Sequence, residues 1–164
     1  MTFALPAELA GGLTDREAIA DALYRAALAF DLNDEALLRS AVTDDVSVEG
    51  PRSFTNGVDE LKAVIFDRVS KVDTTHILTN MRINIEDRNT AKVTCSALAQ
   101  HVRPGKGFEP SAGKLTSGVM YLCDVVKVGG LWKIKTWKTN ITWIDGDRSL
   151  FSAQETGADG TKEE

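Results

Sequence analysis

Four long stretches of alternating, strand-forming residues fill the chain after residue 73, and nothing comparable precedes them. They run at about 74 to 86, 91 to 103, 115 to 128 and 131 to 144. Asp87-Arg88-Asn89, a Gly/Pro-rich loop from Pro104 to Lys114, and Gly129-Gly130 separate them. Consecutive strands joined in this way pair as antiparallel hairpins, so this part of the chain predicts a meander. The part before it carries the helical period instead. Helices first and a long antiparallel meander afterwards is the pattern of an α+β domain, in which helices cover one face of a curved sheet and leave a cup.

The first helix is predicted to begin at Thr14, because Thr14 and Glu17 form a T-x-x-E capping box. Ile19, Ala22, Leu23, Ala26, Ala27 and Phe30 then recur at intervals of three and four, which gathers them on one face. Asp31 falls at the edge of that face, at a helix C-terminus, where an anion is disfavoured. Its spacing fits two readings equally: a carboxylate turned partly toward the core, or the start of a solvated turn with Leu32, Asn33 and Asp34. Asn33 or Asp34 can cap a short second helix to about Ala41, after which Val46 to Glu49 alternates like a brief strand ending at Gly50-Pro51. Asn56-Gly57 opens a third helix, with Val58, Leu61, Ile65 and Val69 as its apolar stripe to about Ser70.

The chain has 164 residues, 43% of them hydrophobic, which suits one globular domain with a sizeable core. A net charge of -5 with no clustered Lys/Arg stripe argues against binding nucleic acid, whose phosphates call for a dense positive surface. Apolar runs fall well short of the ~20 residues that span a bilayer, and residues 1 to 12 lack the pattern of a secretory leader. A cytoplasmic protein is the expectation. Cys95 and Cys123 lack metal-ligand spacing and read as reduced, packed thiols. Gly105-Lys106-Gly107 is not a phosphate loop, for it lacks the following Ser/Thr and the strand-to-helix setting; the loop that holds it is long enough to act as a flap. Residues 1 to 13 read as an N-terminal extension, 14 to 151 as the single domain, and 152 to 164 as a flexible, polar tail.

Only two histidines occur, His76 and His101. Imidazole titrates near neutrality, so two of them sharing an enclosed site with one carboxylate would make a proton-transfer device. On the second long strand Val93, Cys95, Ala97, Ala99 and His101 share a face, and its small side chains leave room for a ligand beside the imidazole. His76 is less favourably placed. Ile77, Met81, Ile83 and Ile85 form the better apolar face, so plain alternation points His76 to solvent unless a bulge between His76 and Met81 turns it inward. Tyr24, two helical turns before Asp31, could offer a hydroxyl to a ligand, although such a tyrosine more often has a core ring and a wet tip. Trp132 differs in parity from Trp137 and Trp143, which predicts that one packs under the helices and the others elsewhere.

In this order Ala29-Phe30-Asp31, Thr74-Thr75-His76-Ile77-Leu78-Thr79-Asn80, Ala97-Leu98-Ala99-Gln100-His101 and Gly130-Leu131-Trp132-Lys133-Ile134 resemble the SnoaL-like and scytalone dehydratase-like proteins of the nuclear transport factor 2 fold. The resemblance implies a cone-shaped α+β barrel, closed by helices over a deep apolar pocket, with Asp31, His76 and His101 as an acid/base trio. It also implies syn loss of water from a cyclic hydroxy-ketone without metal or organic cofactor. His76 would carry the proton, and His101, hydrogen bonded to Asp31, would fix the protonation pattern. The chain departs from scytalone dehydratase where that enzyme has carbonyl-polarising tyrosines, since Phe30 and the Val48-Glu49 region stand near those positions. Tyr121, Ser117, Asn140 and Tyr24 are the candidate substitutes, and with Phe30 and Ala97 they make up the expected substrate-binding set. An isomerase or cyclase using the same trio, or a noncatalytic ligand-binding module, remain rivals. A small-molecule substrate and a homodimer or homotrimer are the expected partners.

Overall fold

Thr14 starts the first helix as a cap should: its hydroxyl accepts the Glu17 N–H at 3.3 Å, and Glu17 accepts the Thr14 N–H at 2.8 Å. In this computed structural model, which describes residues 3–51 and 53–151, that helix is α1 (Asp15–Leu32). Its C-cap, Asn33, takes the left-handed conformation, and the Asp34 side chain then caps α2 (Glu35–Ala41) by accepting the Leu37 N–H. β1 (Val42–Glu49) follows directly and is longer than the expected Val46–Glu49. A short β2 (Phe54–Asn56), too brief to be seen in the residue pattern, pairs with it antiparallel.

The third helix has three parts: α3 (Val58–Leu61), a π-helical turn (Lys62–Phe66) and α4 (Asp67–Val69). Then come β3 (Asp73–Ile85), β4 (Thr90–Val102), β5 (Lys114–Val128) and β6 (Leu131–Gly146), within about two residues of the expected limits, and a closing 3-10 turn (Arg148–Phe151). The six strands form one sheet in the order β2-β1-β6-β5-β4-β3. The four long strands are an antiparallel meander, and β1 joins β6 in parallel. The sheet curls around α1 without closing. Its inner face and the stripe Ile19, Ala22, Leu23, Ala26 and Phe30 make one core with Val93, Cys95, Cys123, Val125, Trp132, Ile134 and Trp137.

Three bulges set which side chains face that core. On β3 the register steps between Thr79 and Arg82, and Asn80 there has φ +53°. One extra residue reverses the parity: Thr74, His76 and Leu78 face inward before it, Met81, Ile83 and Ile85 after it. On β6 the register against β5 shifts at two places, between Ile134 and Thr136 and between Ile141 and Trp143. The first brings Trp132 and Trp137 to the same inner face, and the second turns Trp143 outward, where it is exposed over Gly118. The expected split of one tryptophan against the other two is corrected accordingly.

Arg25, within the apolar stretch of α1, is buried and ties three elements together. It pairs with Asp21 at 2.7 Å and donates to the Ser40 carbonyl, to Ser40 Oγ at 3.1 Å, and to the Trp132 carbonyl at 2.8 Å. Both cysteines are free and buried, and burial pushes the Cys95 thiol up to about 11. Among the described residues no helix is long and apolar enough to cross a membrane. The tail expected over 152–164 lies outside the described residues.

Candidate active site

Asp31 sits in the last turn of α1, which packs against edge strand β3. A carboxylate at a helix C-terminus needs donors from elsewhere, and β3 supplies them. Asp31 Oδ1 lies 2.6 Å from His76 Nδ1, and Oδ2 accepts the His76 backbone N–H at 2.9 Å. Both side chains are largely buried, at 10% exposure for His76 and 13% for Asp31. A carboxylate oxygen accepts, so a proton on Nδ1 suits this contact, and in the neutral ring that tautomer leaves the lone pair on Nε2.

The bulge at Asn80 explains how His76 reaches this place. Without it, Ile77 and its apolar partners would face the core and His76 would face water. The cross-strand neighbour of His76 is Ala99, whose small side chain leaves space for the ring. His101, next along the inner face of β4, meets His76 edge to face with centroids 5.6 Å apart.

His101 does not bond Asp31. Its Nδ1 lies 2.8 Å from the hydroxyl of Thr74, its cross-strand partner, while both Asp31 oxygens bond to His76. The hydrogen bond expected between Asp31 and His101 is therefore corrected to Asp31 and His76, because the helix end faces β3 and His101 lies one strand further in. The His101 ring also meets Phe151 of the closing turn edge to face, with centroids 4.9 Å apart. Burial and the neighbouring His76 lower its pKa from 6.5 to about 4, against the opposing pull of Asp31, so at neutral pH His101 is an uncharged ring.

His76 opens on a cavity of about 190 Å³ whose wall includes Phe30, Val48, Leu61, Ile65, Tyr121, Trp137 and Thr139. This is less than the roughly 300–1,000 Å³ of pockets for drug-sized ligands, so the space suits only a compact molecule. Phe30 organises it, with ring centroids 5.3 Å from Phe66, 5.9 Å from His76 and 6.4 Å from Trp137.

Of the substrate-contact residues expected from sequence, Phe30 and Tyr121 line this cavity. Tyr24 does not: it is 45% exposed on the solvent side of α1. Ala97 and Ser117 are buried on the inner face of β4 and β5, outside the cavity wall. Asn140 is exposed on the outer face of β6, because inward positions there are Trp137, Thr139 and Ile141. The loop expected to act as a flap contributes nothing to the wall; Asp73 anchors it by accepting the Gly105 N–H at 2.9 Å, and Phe108 stands in solvent. Trp137, which plain alternation sets apart from Trp132, lies in the cavity wall because the first β6 bulge reverses the count before it.

A curled sheet wrapped by helices, with a carboxylate-imidazole pair at the inner end of the first helix, defines the class: an α+β protein of the nuclear transport factor 2-like, cystatin-like type. A candidate scytalone dehydratase of Novosphingobium aromaticivorans DSM 12444 superposes with a TM-score of 0.67 at 26% identity, covering 80% of this chain and 86% of that one. The hexachlorocyclohexane dehydrochlorinase LinA-type3 of Novosphingobium barchaimii LL02 superposes at 0.66 over 81% of this chain and 90% of that one, with 16% identity, a likeness of fold alone.

The chain belongs to the SnoaL-like domain family, whose model matches residues 12–138. Along its sequence it is 45% identical over 150 residues to the terrestric acid biosynthesis cluster protein E of Penicillium crustosum, covering 90% of this chain and 96% of that relative.

Proposed function

We propose that the protein is a cofactor-independent acid/base enzyme that removes water from a small cyclic hydroxy-ketone. The observation that carries this reading is the Asp31–His76 pair opening on a small, mostly apolar cavity. With Nδ1–H held by Asp31, Nε2 is the basic nitrogen. It takes the proton from the carbon beside the carbonyl, and the C–H electron pair forms the enolate while the carbonyl oxygen gains negative charge. The enolate then re-forms the carbonyl and expels the β-hydroxyl, which takes the same proton from Nε2 and leaves as water. One imidazole acting on one face makes the elimination syn. Each such transfer contributes about 10²- to 10⁴-fold. Asp31 stabilises the imidazolium that exists between the two steps.

The likeness to a biosynthesis cluster protein supports a place among enzymes that process secondary metabolites. Self-association belongs to the same reading: Ile77, Leu98, Met120, Leu122 and Trp143 are exposed on the outer face of the sheet, an apolar surface that a second copy would cover.

The test is incubation of the protein with β-hydroxycyclohexanone, followed by mass spectrometry. Loss of one water in the wild type, absent in His76→Gln, is the expected result. Turnover with unchanged mass would assign an isomerase instead, and equal turnover in His76→Gln would overturn the acid/base role.

A further inference from the structure

One side chain in the cavity wall is charged at every ordinary pH. Arg68, in the short helix α4, belongs to that wall together with Leu61, Ile65 and Val69 of the same broken helix. His76 aside, the other described wall residues are apolar or neutral, and none is a carboxylate. The acid next to Arg68 in sequence, Asp67, is engaged elsewhere, accepting from Lys62 Nζ at 2.9 and 3.0 Å. Among the described residues no hydrogen bond or ion pair reaches the Arg68 guanidinium.

An aromatic ring holds it instead. The guanidinium carbon lies 5.8 Å from the centroid of Phe151, which meets His101, which in turn meets His76. A cation–π contact engages the charge without using an N–H, so the five donors of this exposed residue stay open to a ligand. Their planar fork matches a carboxylate, two N–H groups to two oxygens. The chain carries a net charge of -5 and repels anions at large, which makes an unpaired arginine at an apolar cavity a local exception. A few polar groups placed in an apolar wall set which molecule a pocket accepts and in what orientation. Arg68 is exposed and His76 is largely buried, so an acid held by Arg68 keeps its apolar ring on the inner side, toward His76.

We infer that Arg68 is the specificity-determining residue of this cavity and binds a carboxylate on the ligand, so that the ligand class is a compact cyclic acid. The inference rests on the acid/base reading for the cavity being a substrate site, and it is tested by binding rather than turnover.

The probes are benzoate and benzamide, which share a ring and a planar head group and differ in charge. By calorimetric titration at low ionic strength, wild type should bind benzoate more tightly by roughly three- to tenfold, the range of a charge-assisted pair open to solvent. Arg68→Gln should bring the two within about twofold without weakening benzamide, and Arg68→Lys should keep part of the preference, since it retains the charge and loses the fork. In nitrogen-labelled wild type, the Arg68 Nε–H resonance should move with benzoate and not with benzamide. This readout decides alone if Arg68→Gln does not fold. Absence of that shift, a preference unchanged in a folded Arg68→Gln, or a wild type that shows no preference, including one that holds neither compound, overturns the inference. Water loss from β-hydroxycyclohexanone, which carries no acid group, tests the acid/base reading separately, so either result can fail while the other stands.

Discussion

Asp31 grips His76 at two points, with one carboxylate oxygen 2.6 Å from the ring Nδ1 and the other 2.9 Å from the same residue's backbone N–H. The backbone contact fixes the helix end against β3, and the ring contact selects the tautomer. His101 instead meets the Thr74 hydroxyl.

Asp31→Asn separates the two contacts. Its amide oxygen can still accept the backbone N–H, but the amide nitrogen would then face the ring and favour the opposite tautomer. The rate of the proposed dehydration should fall by about 10²- to 10⁴-fold while circular dichroism is unchanged. Nitrogen NMR of His76 should show the proton move from Nδ1 to Nε2; a normal rate in that variant would refute the role of Asp31.

His101 makes stability depend on pH. Its folded pKa of about 4 lies below the ordinary 6.5, so between those values the unfolded chain binds a proton that the folded chain does not. Stability attributable to this residue is full above pH 6.5, declines as pH falls toward 4, and levels off below it, a change of up to about 3 kcal/mol. Urea midpoints measured across this window should drop less steeply in His101→Gln than in wild type.

Asn80 holds the bulge that turns His76 inward, at φ +53°. Asn80→Gly keeps that conformation accessible and should change stability by less than about 1 kcal/mol. Asn80→Val places a β-branched side chain in the left-handed region and should cost roughly 1–2 kcal/mol, with a further loss of activity as the register relaxes. Thermal melts and turnover of the two variants check this; equal behaviour would show that the bulge does not depend on this residue.

Arg25→Ala should destabilise by about 3 kcal/mol, because it strips the Ser40 and Trp132 carbonyls of their donor and leaves Asp21 without its partner. Lysine should rescue only part, as it lacks the planar fork that reaches both carbonyls. Chemical denaturation measures the effect, and specific activity of the folded fraction should be unaltered.

The residue pattern alone determined the capping box at Thr14, the apolar stripe from Ile19 to Phe30, the four long strands and the small inner face that ends at His101. Each follows from spacing within one element, which local geometry imposes on any chain. Asp31 was legible as a position but not as a contact, since a helix-end carboxylate reads the same whether it meets β3 or water.

Tertiary structure decided the rest. Single inserted residues near Asn80, Lys135 and Thr142 reverse which side chains face the core, and no period-two reading anticipates where a curled sheet will place them. They brought His76 in, put Trp137 on the cavity wall and left Asn140 outside. The pairing of strands then gave Thr74 rather than Asp31 to His101, because hydrogen-bond partners are set by which backbones lie side by side, a relation between elements that spacing along one chain does not contain.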